Sequence, residues 1–142
     1  MKKYYAVIDT NVLVSAALRM ESVPGSIIEL VFTGVVIPLI NESIVTEYRE
    51  VLSRDKFRFP TDVVDDLVSG ICRNAISVNE KTLEVELPDP KYRVFYEVTM
   101  EGRKTDDTYL VTGNLKHFPV EPFIVSPREM LDIIVEGIDS EC

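Results

Sequence analysis

Cysteine, histidine, long apolar runs and basic charge are all scarce in this chain of 142 residues, and each scarcity closes off a class of protein. Two cysteines, Cys72 and Cys142, with no CxxC spacing, argue against a disulfide framework and against a zinc site. The single histidine, His117, stands in a short polar connection, with no serine or cysteine nucleophile placed to pair with it. The longest apolar run, Val35 to Ile40, is interrupted by Pro38 and falls far short of the roughly 20 residues a membrane helix needs. The opening Met1-Lys2-Lys3-Tyr4-Tyr5 runs into Asp9, which is not the pattern of a secretory signal peptide. No repeat, low-complexity tract or Pro/Gly/Ser linker divides the chain. The expectation is one soluble domain over residues 1–142, with its core at about 4–135, located in the cytoplasm and without a membrane partner.

The shortage of basic charge needs more care. Fifteen Lys+Arg face 24 Asp+Glu, a net charge of −9, which on its face excludes nucleic acid as a partner. The distribution qualifies that. Residues 1–60 carry seven basic and seven acidic side chains, residues 61–120 seven and eleven, and residues 121–142 only Arg128 against six acids. About half of the excess therefore lies in the last 22 residues. What the acidity does imply is weak non-specific affinity for RNA and a preference for a basic protein partner.

What the chain does contain is the composition of a folded domain, 46% hydrophobic and 27% charged. Tyr4 to Ile8 reads as a short buried strand ending at Asp9. Thr10 reads as the N-cap of a helix carrying Val12, Leu13, Ala16 and Ala17. Ser26 to Phe32 suggests a second helix, stopped by Gly34, before a strand over Val35 to Leu39. Asn41 can cap a helix running to about Arg54, with Ile44, Tyr48, Val51 and Leu52 as its apolar stripe. Thr61 begins another, burying Val64, Leu67, Val68, Ile71 and Cys72. Ala75 to Val78 reads as a third strand, Pro88-Asp89-Pro90 as a break, and Lys91 to about Glu101 as a helix. Tyr109 to Thr112 and Phe123 to Val125 complete the strands. Between them, Gly113 to Val120 is too short for a long helix. Ser126-Pro127 opens a final helix.

Strands separated by helices predict an α/β fold, a mainly parallel sheet of about five strands covered on both faces. In such folds ligands bind beyond the C-terminal ends of the strands. Polar residues just after a strand are therefore candidates, and those just before one are not. Asp9 qualifies: its carboxylate suits a hard cation braced by Thr10 and Asn11, although Asp9-Thr10 also reads as a plain helix cap. Glu47 lies at the margin of an apolar stripe, sharing a face with Ser43 and Glu50, and taken alone reads more often as a solvated helix residue than as a ligand. Thr112-Gly113-Asn114 follows a strand, and Asn114 can offer an oxygen to a metal or simply form a Gly-Asn turn. Asp106 and Asp107 precede that strand and belong at the wrong end.

Taken jointly, Val7-Ile8-Asp9-Thr10-Asn11-Val12-Leu13-Val14-Ser15-Ala16 resembles the opening motif of PIN-domain proteins. Glu47-Tyr48-Arg49-Glu50-Val51-Leu52 resembles the family's second acidic block. Leu110-Val111-Thr112-Gly113-Asn114, with Lys116-His117-Phe118-Pro119, resembles the C-terminal block of its toxin subfamily. The resemblance runs from Tyr4 to about Val135 and implies a three-layer α/β/α fold. It also implies an endoribonuclease, the toxin of a toxin–antitoxin pair, using Mg2+ or Mn2+ and forming a homodimer. Asp9 and Glu47 match the first two acidic positions, Asn114 stands where many relatives carry Asp, and Thr112 and Ser15 match supporting polar positions.

The departure is at the third acid, which aligns with Tyr92. Asp89 remains at the mouth of that helix. Glu97, five residues beyond Tyr92 and about 500° of helical rotation away, points elsewhere. A phenol in place of a carboxylate removes one negative charge and weakens Mg2+ binding, with Asp9, Glu47, Asp89 and Asn114 left to form the site. Lys91, Arg93, Arg103, Lys104 and Lys116 are the basic residues expected to flank its mouth and position an RNA backbone. Three functions follow: a metal-dependent ribonuclease, an incomplete module that binds RNA or a protein without cutting, and a phosphotransfer domain using Asp9 as nucleophile. The last needs a second acid beside Asp9 or two residues on, where Thr10 and Asn11 stand.

Overall fold

The computed structural model describes residues 2–79 and 92–141. Five strands form one all-parallel sheet: β1 (Tyr4–Ile8), β2 (Val36–Ile40), β3 (Ile76–Ser77), β4 (Thr108–Val111) and β5 (Ile124–Val125). Their order across the sheet is β3-β2-β1-β4-β5. The helices are α1 (Thr10–Leu18), α2 (Val23–Phe32), α3 (Glu42–Leu52), α4 (Thr61–Arg73), α5 (Arg93–Gly102) and α6 (Pro127–Glu141). Ala6, Val7 and Ile8 are all fully buried although successive side chains point to opposite faces, so β1 is covered on both sides. This is the α/β/α arrangement expected.

The chain first builds outward from β1 to β2 and β3, then returns to add β4 on the other side of β1. The sheet therefore changes direction between β1 and β4, and a crevice opens beyond their C-terminal ends. The backbone N–H of Asp9 donates to the carbonyl of Val111 at 2.9 Å, which brings the residues after the two strands side by side. On the opposite side of β1, the Tyr48 hydroxyl of α3 donates to the carbonyl of Ile8 at 2.5 Å. With Ile44, Tyr48 and Leu52 all fully buried, α3 is locked over the end of β1, and Glu47 is carried with it.

Three local differences from the sequence reading have simple causes. Asp9, not Thr10, occupies the N-cap of α1, and its side chain makes no capping bond. α2 starts at Val23 rather than Ser26, because the Ser22 side chain accepts from Gly25 N–H at 3.2 Å and Pro24 fits the first turn. β3 shrinks to Ile76–Ser77 because it is an edge strand paired only with β2. Gly34 does end α2, with φ +87° in the left-handed region that favours glycine. The Gly113–Val120 connection holds one 3-10 turn, Leu115–His117. The proposed break at Pro88-Asp89-Pro90 and the helix start at Lys91 lie outside the described residues. No helix among the described residues is long and apolar enough to cross a membrane.

Candidate active site

Asp9 is only 1% exposed, yet it is a carboxylate aimed into the crevice rather than a cap. Its Oδ2 accepts from the Thr112 hydroxyl at 2.7 Å and from the Asn11 side-chain amide at 3.0 Å. Asn11 also holds the neighbouring strand end, its Oδ1 accepting from Gly113 N–H at 3.0 Å. A Cβ at Gly113 would stand 3.2 Å from that oxygen, so the close approach suits glycine. The Thr112 hydroxyl in turn accepts from Asn114 N–H at 3.0 Å. Thr10, on the first turn of α1, donates its hydroxyl to Glu47 Oε2. The three-residue polar run Asp9-Thr10-Asn11 after β1 thus engages both the α3 carboxylate and the end of β4.

Asp9 and Glu47 open into one cavity of about 300 Å³, shared with Ser15, Arg54, Phe57 and Tyr92. Burial pushes the Asp9 carboxyl up from 3.8 to about 6, and the charge of Glu47 adds to this. The Thr112 hydroxyl, the Thr10 backbone N–H and the Asn11 amide oppose the rise by bonding the charged form. The Tyr48 phenol is also driven up, first by burial and then by Asp9 and Glu47. Two anionic groups are therefore held together where no described lysine or arginine forms an ion pair with either. Two fixed hard oxygen donors with an unmet charge suit a divalent cation that keeps much of its water. Among the described residues no group of three His, Cys, Asp or Glu side chains gathers at one point.

The remaining sequence candidates divide by position. Tyr92 lines the cavity, stacked on His117 at 4.6 Å between centroids and edge-on to Phe118. Glu97 is buried away from the cavity, 4.0 Å from Arg93. Asn114 stands at the right end, but its side chain is not part of the cavity wall. Lys116 is exposed in the turn after β4, and Arg93 begins α5 beside Tyr92. Asp89 and Lys91 lie outside the described residues. Arg103 and Lys104 are not at the mouth: Arg103 binds Asp107 and the Thr108 carbonyl at the start of β4, and Lys104 binds Glu101. They fall at the same wrong end as Asp106 and Asp107, because α5 delivers its C-terminus to the beginning of the next strand.

The face of α3 also differs. Ser43 and Glu50 are exposed and do not line the cavity, whereas Val51 does, together with Arg54 just past the helix, which ends at Leu52 rather than at about Arg54. Arg54 and Phe57 were not among the sequence candidates. Glu47, Val51 and Arg54 recur at i, i+4 and i+7, a helical face legible in the sequence and masked by the stronger stripe beside it. Phe57 had no such periodic signal, since it sits in a separate 3-10 turn, Asp55–Phe57.

Comparison with known families gives a match to the PIN domain over residues 5–116, which takes in Asp9, Glu47, Tyr92 and Thr112. No curated protein and no solved structure matches the chain.

Proposed function

The chain belongs to the PIN-domain family of nucleases, whose members are typically metal-dependent, and on that premise we propose that it is a divalent-metal-dependent endoribonuclease, the toxin of a toxin–antitoxin pair. The observation that carries this reading is the Asp9–Glu47 pair in one cavity beyond the switch point of the sheet. Mg2+ or Mn2+ held there supplies Lewis acidity, acidifying water and countering charge on the phosphodiester.

The residues themselves do the rest. Thr112 and Asn11 hold Asp9 in one orientation, and Thr10 holds Glu47. Ser15 adds a hydroxyl to the same wall, and Asn114 braces Thr112 through its backbone. Asp89 and the Asn114 side chain complete the ligand set in this proposal, directly or through water. Lys91, Arg93 and Lys116 steady the RNA backbone. The protein acts as one cytoplasmic PIN-like domain, as a homodimer restrained by a basic antitoxin that its acidity attracts.

A second reading is favoured by Tyr92. With a phenol in the third acidic position the site has one negative charge fewer, which fits a catalytically weakened module that holds RNA or a protein partner. The decisive measurement is cleavage of RNA by purified protein in Mn2+ and in Mg2+, beside Asp9→Ala and an EDTA control. Cleavage lost in Asp9→Ala and in EDTA supports the nuclease. No cleavage in either metal, with binding intact, supports the second reading.

A further inference from the structure

Arg54-Asp55-Lys56-Phe57-Arg58-Phe59 alternates cations with aromatic rings directly after α3. Phe57 and Phe59 stack at 5.6 Å between centroids, 13° from parallel. Phe59 packs against the core, while Phe57 lines the Asp9–Glu47 cavity. The turn is closed by Arg58, whose φ of 56° makes it the single described non-glycine residue in the left-handed region. Lys56 Nζ sits 5.1 Å from the centre of the Phe57 ring, and Arg54 reaches into the cavity itself.

The charges in this segment differ from most of the others discussed. Arg49, Arg93, Arg103 and Lys104 are all engaged by acids. Arg54, Lys56 and Arg58 are exposed, and none makes a side-chain hydrogen bond or ion pair with a described residue. Cations without an acid partner beside an acidic cavity, interleaved with an aromatic stack, present two chemistries together. One attracts phosphates, and the other offers a π-face to a base. A paired base cannot use that face without leaving its own stack, so the surface discriminates between strands.

We infer that the 54–59 turn is a positioning platform for single-stranded nucleic acid, stacking an unpaired base on Phe57 while Arg54, Lys56 and Arg58 hold the adjoining phosphates. It rests on the nuclease reading for its connection to cleavage, but not for binding. A strand seated there continues into the cavity, so the phosphate next to the stacked base is the one delivered to Asp9 and Glu47. The platform sets which bond is presented, and the carboxylates act on it.

The test measures anisotropy of a labelled single strand of about 12 nucleotides, and of the matching duplex, in EDTA and in Ca2+, with the full chain. The single strand should bind tighter than the duplex. Phe57→Ala should weaken single-strand binding roughly 5- to 100-fold, and Phe57→Tyr should restore it. Phe59→Leu, which keeps apolar volume for the core, should also weaken it. Lys56→Gln with Arg58→Asn, an asparagine tolerating the left-handed backbone, should lower the salt slope by about 1.4. Circular dichroism confirms that each variant is folded.

Equal affinity for strand and duplex overturns the platform, and so does failure of the wild type to bind in either buffer. Unchanged binding in folded Phe57→Ala overturns it too. If RNA is cleaved by the wild type and by Phe57→Ala with the same KM, the platform falls and the nuclease stands. If no protein cleaves but Phe57→Ala still loses single-strand binding, the platform stands and the nuclease falls.

Discussion

At pH 8 and without divalent cation, Asp9→Asn should be more stable than the wild type, although it removes the residue on which the proposed activity depends. The Asp9 carboxyl stands at about 6 in the folded chain against 3.8 in the unfolded one. The folded state therefore holds this proton more tightly. The carboxyl's contribution to stability is greatest below pH 3.8 and is lost as pH rises through about 6. At about 1.4 kcal/mol per pH unit, the two-unit difference costs the cation-free protein about 3 kcal/mol at pH 7 and above. Asparagine carries no charge, has nearly the same shape, and keeps an oxygen for the Thr112 and Asn11 donors.

Melting curves in EDTA should put Asp9→Asn up to about 10 °C above the wild type at pH 8. At pH 3.5 the gap should nearly close, because the wild-type carboxyl is then protonated in the folded state and about two-thirds protonated in the unfolded one. Adding Mg2+ to one hundred times its Kd should raise the wild type by about 2.7 kcal/mol and leave the variant unmoved. An Asp9→Asn protein less stable than the wild type at pH 8 would refute the reasoning, as would a gap that does not change with pH. Either result means that the crevice neutralises Asp9 in some other way.

Glu47→Gln removes the like charge beside Asp9 while leaving an acceptor for Thr10, so the Asp9 pKa should fall towards its ordinary value and divalent affinity should drop. NMR titration of the Asp9 carboxyl and calorimetry with Mg2+ check the two effects. Tyr92→Asp should raise metal affinity by supplying the missing carboxylate, read by calorimetry. It should also lower the melting temperature, since the stack on His117 and the edge contact with Phe118 are lost. Tyr48→Phe strands the buried Ile8 carbonyl at the end of β1 and should cost about 1–3 kcal/mol in urea unfolding.

Much of the scaffold was legible because hydrophobic period is local. Tyr4–Ile8 is a strand with the bounds that its apolar run implied, and Asn41 caps α3 by accepting from Ile44 N–H at 2.8 Å. The filter that rejects polar residues before a strand also worked, leaving Asp106 and Asp107 at the start of β4. Arg103 and Lys104 precede the same strand, so the filter rejects them too; the expectation that they flank the mouth rested on their charge alone. Phe57 escaped because its position depends on a non-periodic turn and on a left-handed residue at Arg58.

The scarcities that opened the reading, of cysteine, histidine and basic charge, are properties of the sequence alone. So is the strand–helix alternation. Strand order is not such a property, because any order satisfies the same local pairing and burial rules. Only the tertiary fold seats β4 against β1, which lets Thr112 reach Asp9 across 103 positions of chain, and only it swings α3 over β1 so that Glu47 meets Thr10. Burial then does what composition cannot, raising one carboxylate to about 6 beside another. The overall charge of −9 remains, but the fold decides where it acts: two acids meet in one cavity, with Arg54 on its wall and Lys56 and Arg58 in the turn that follows.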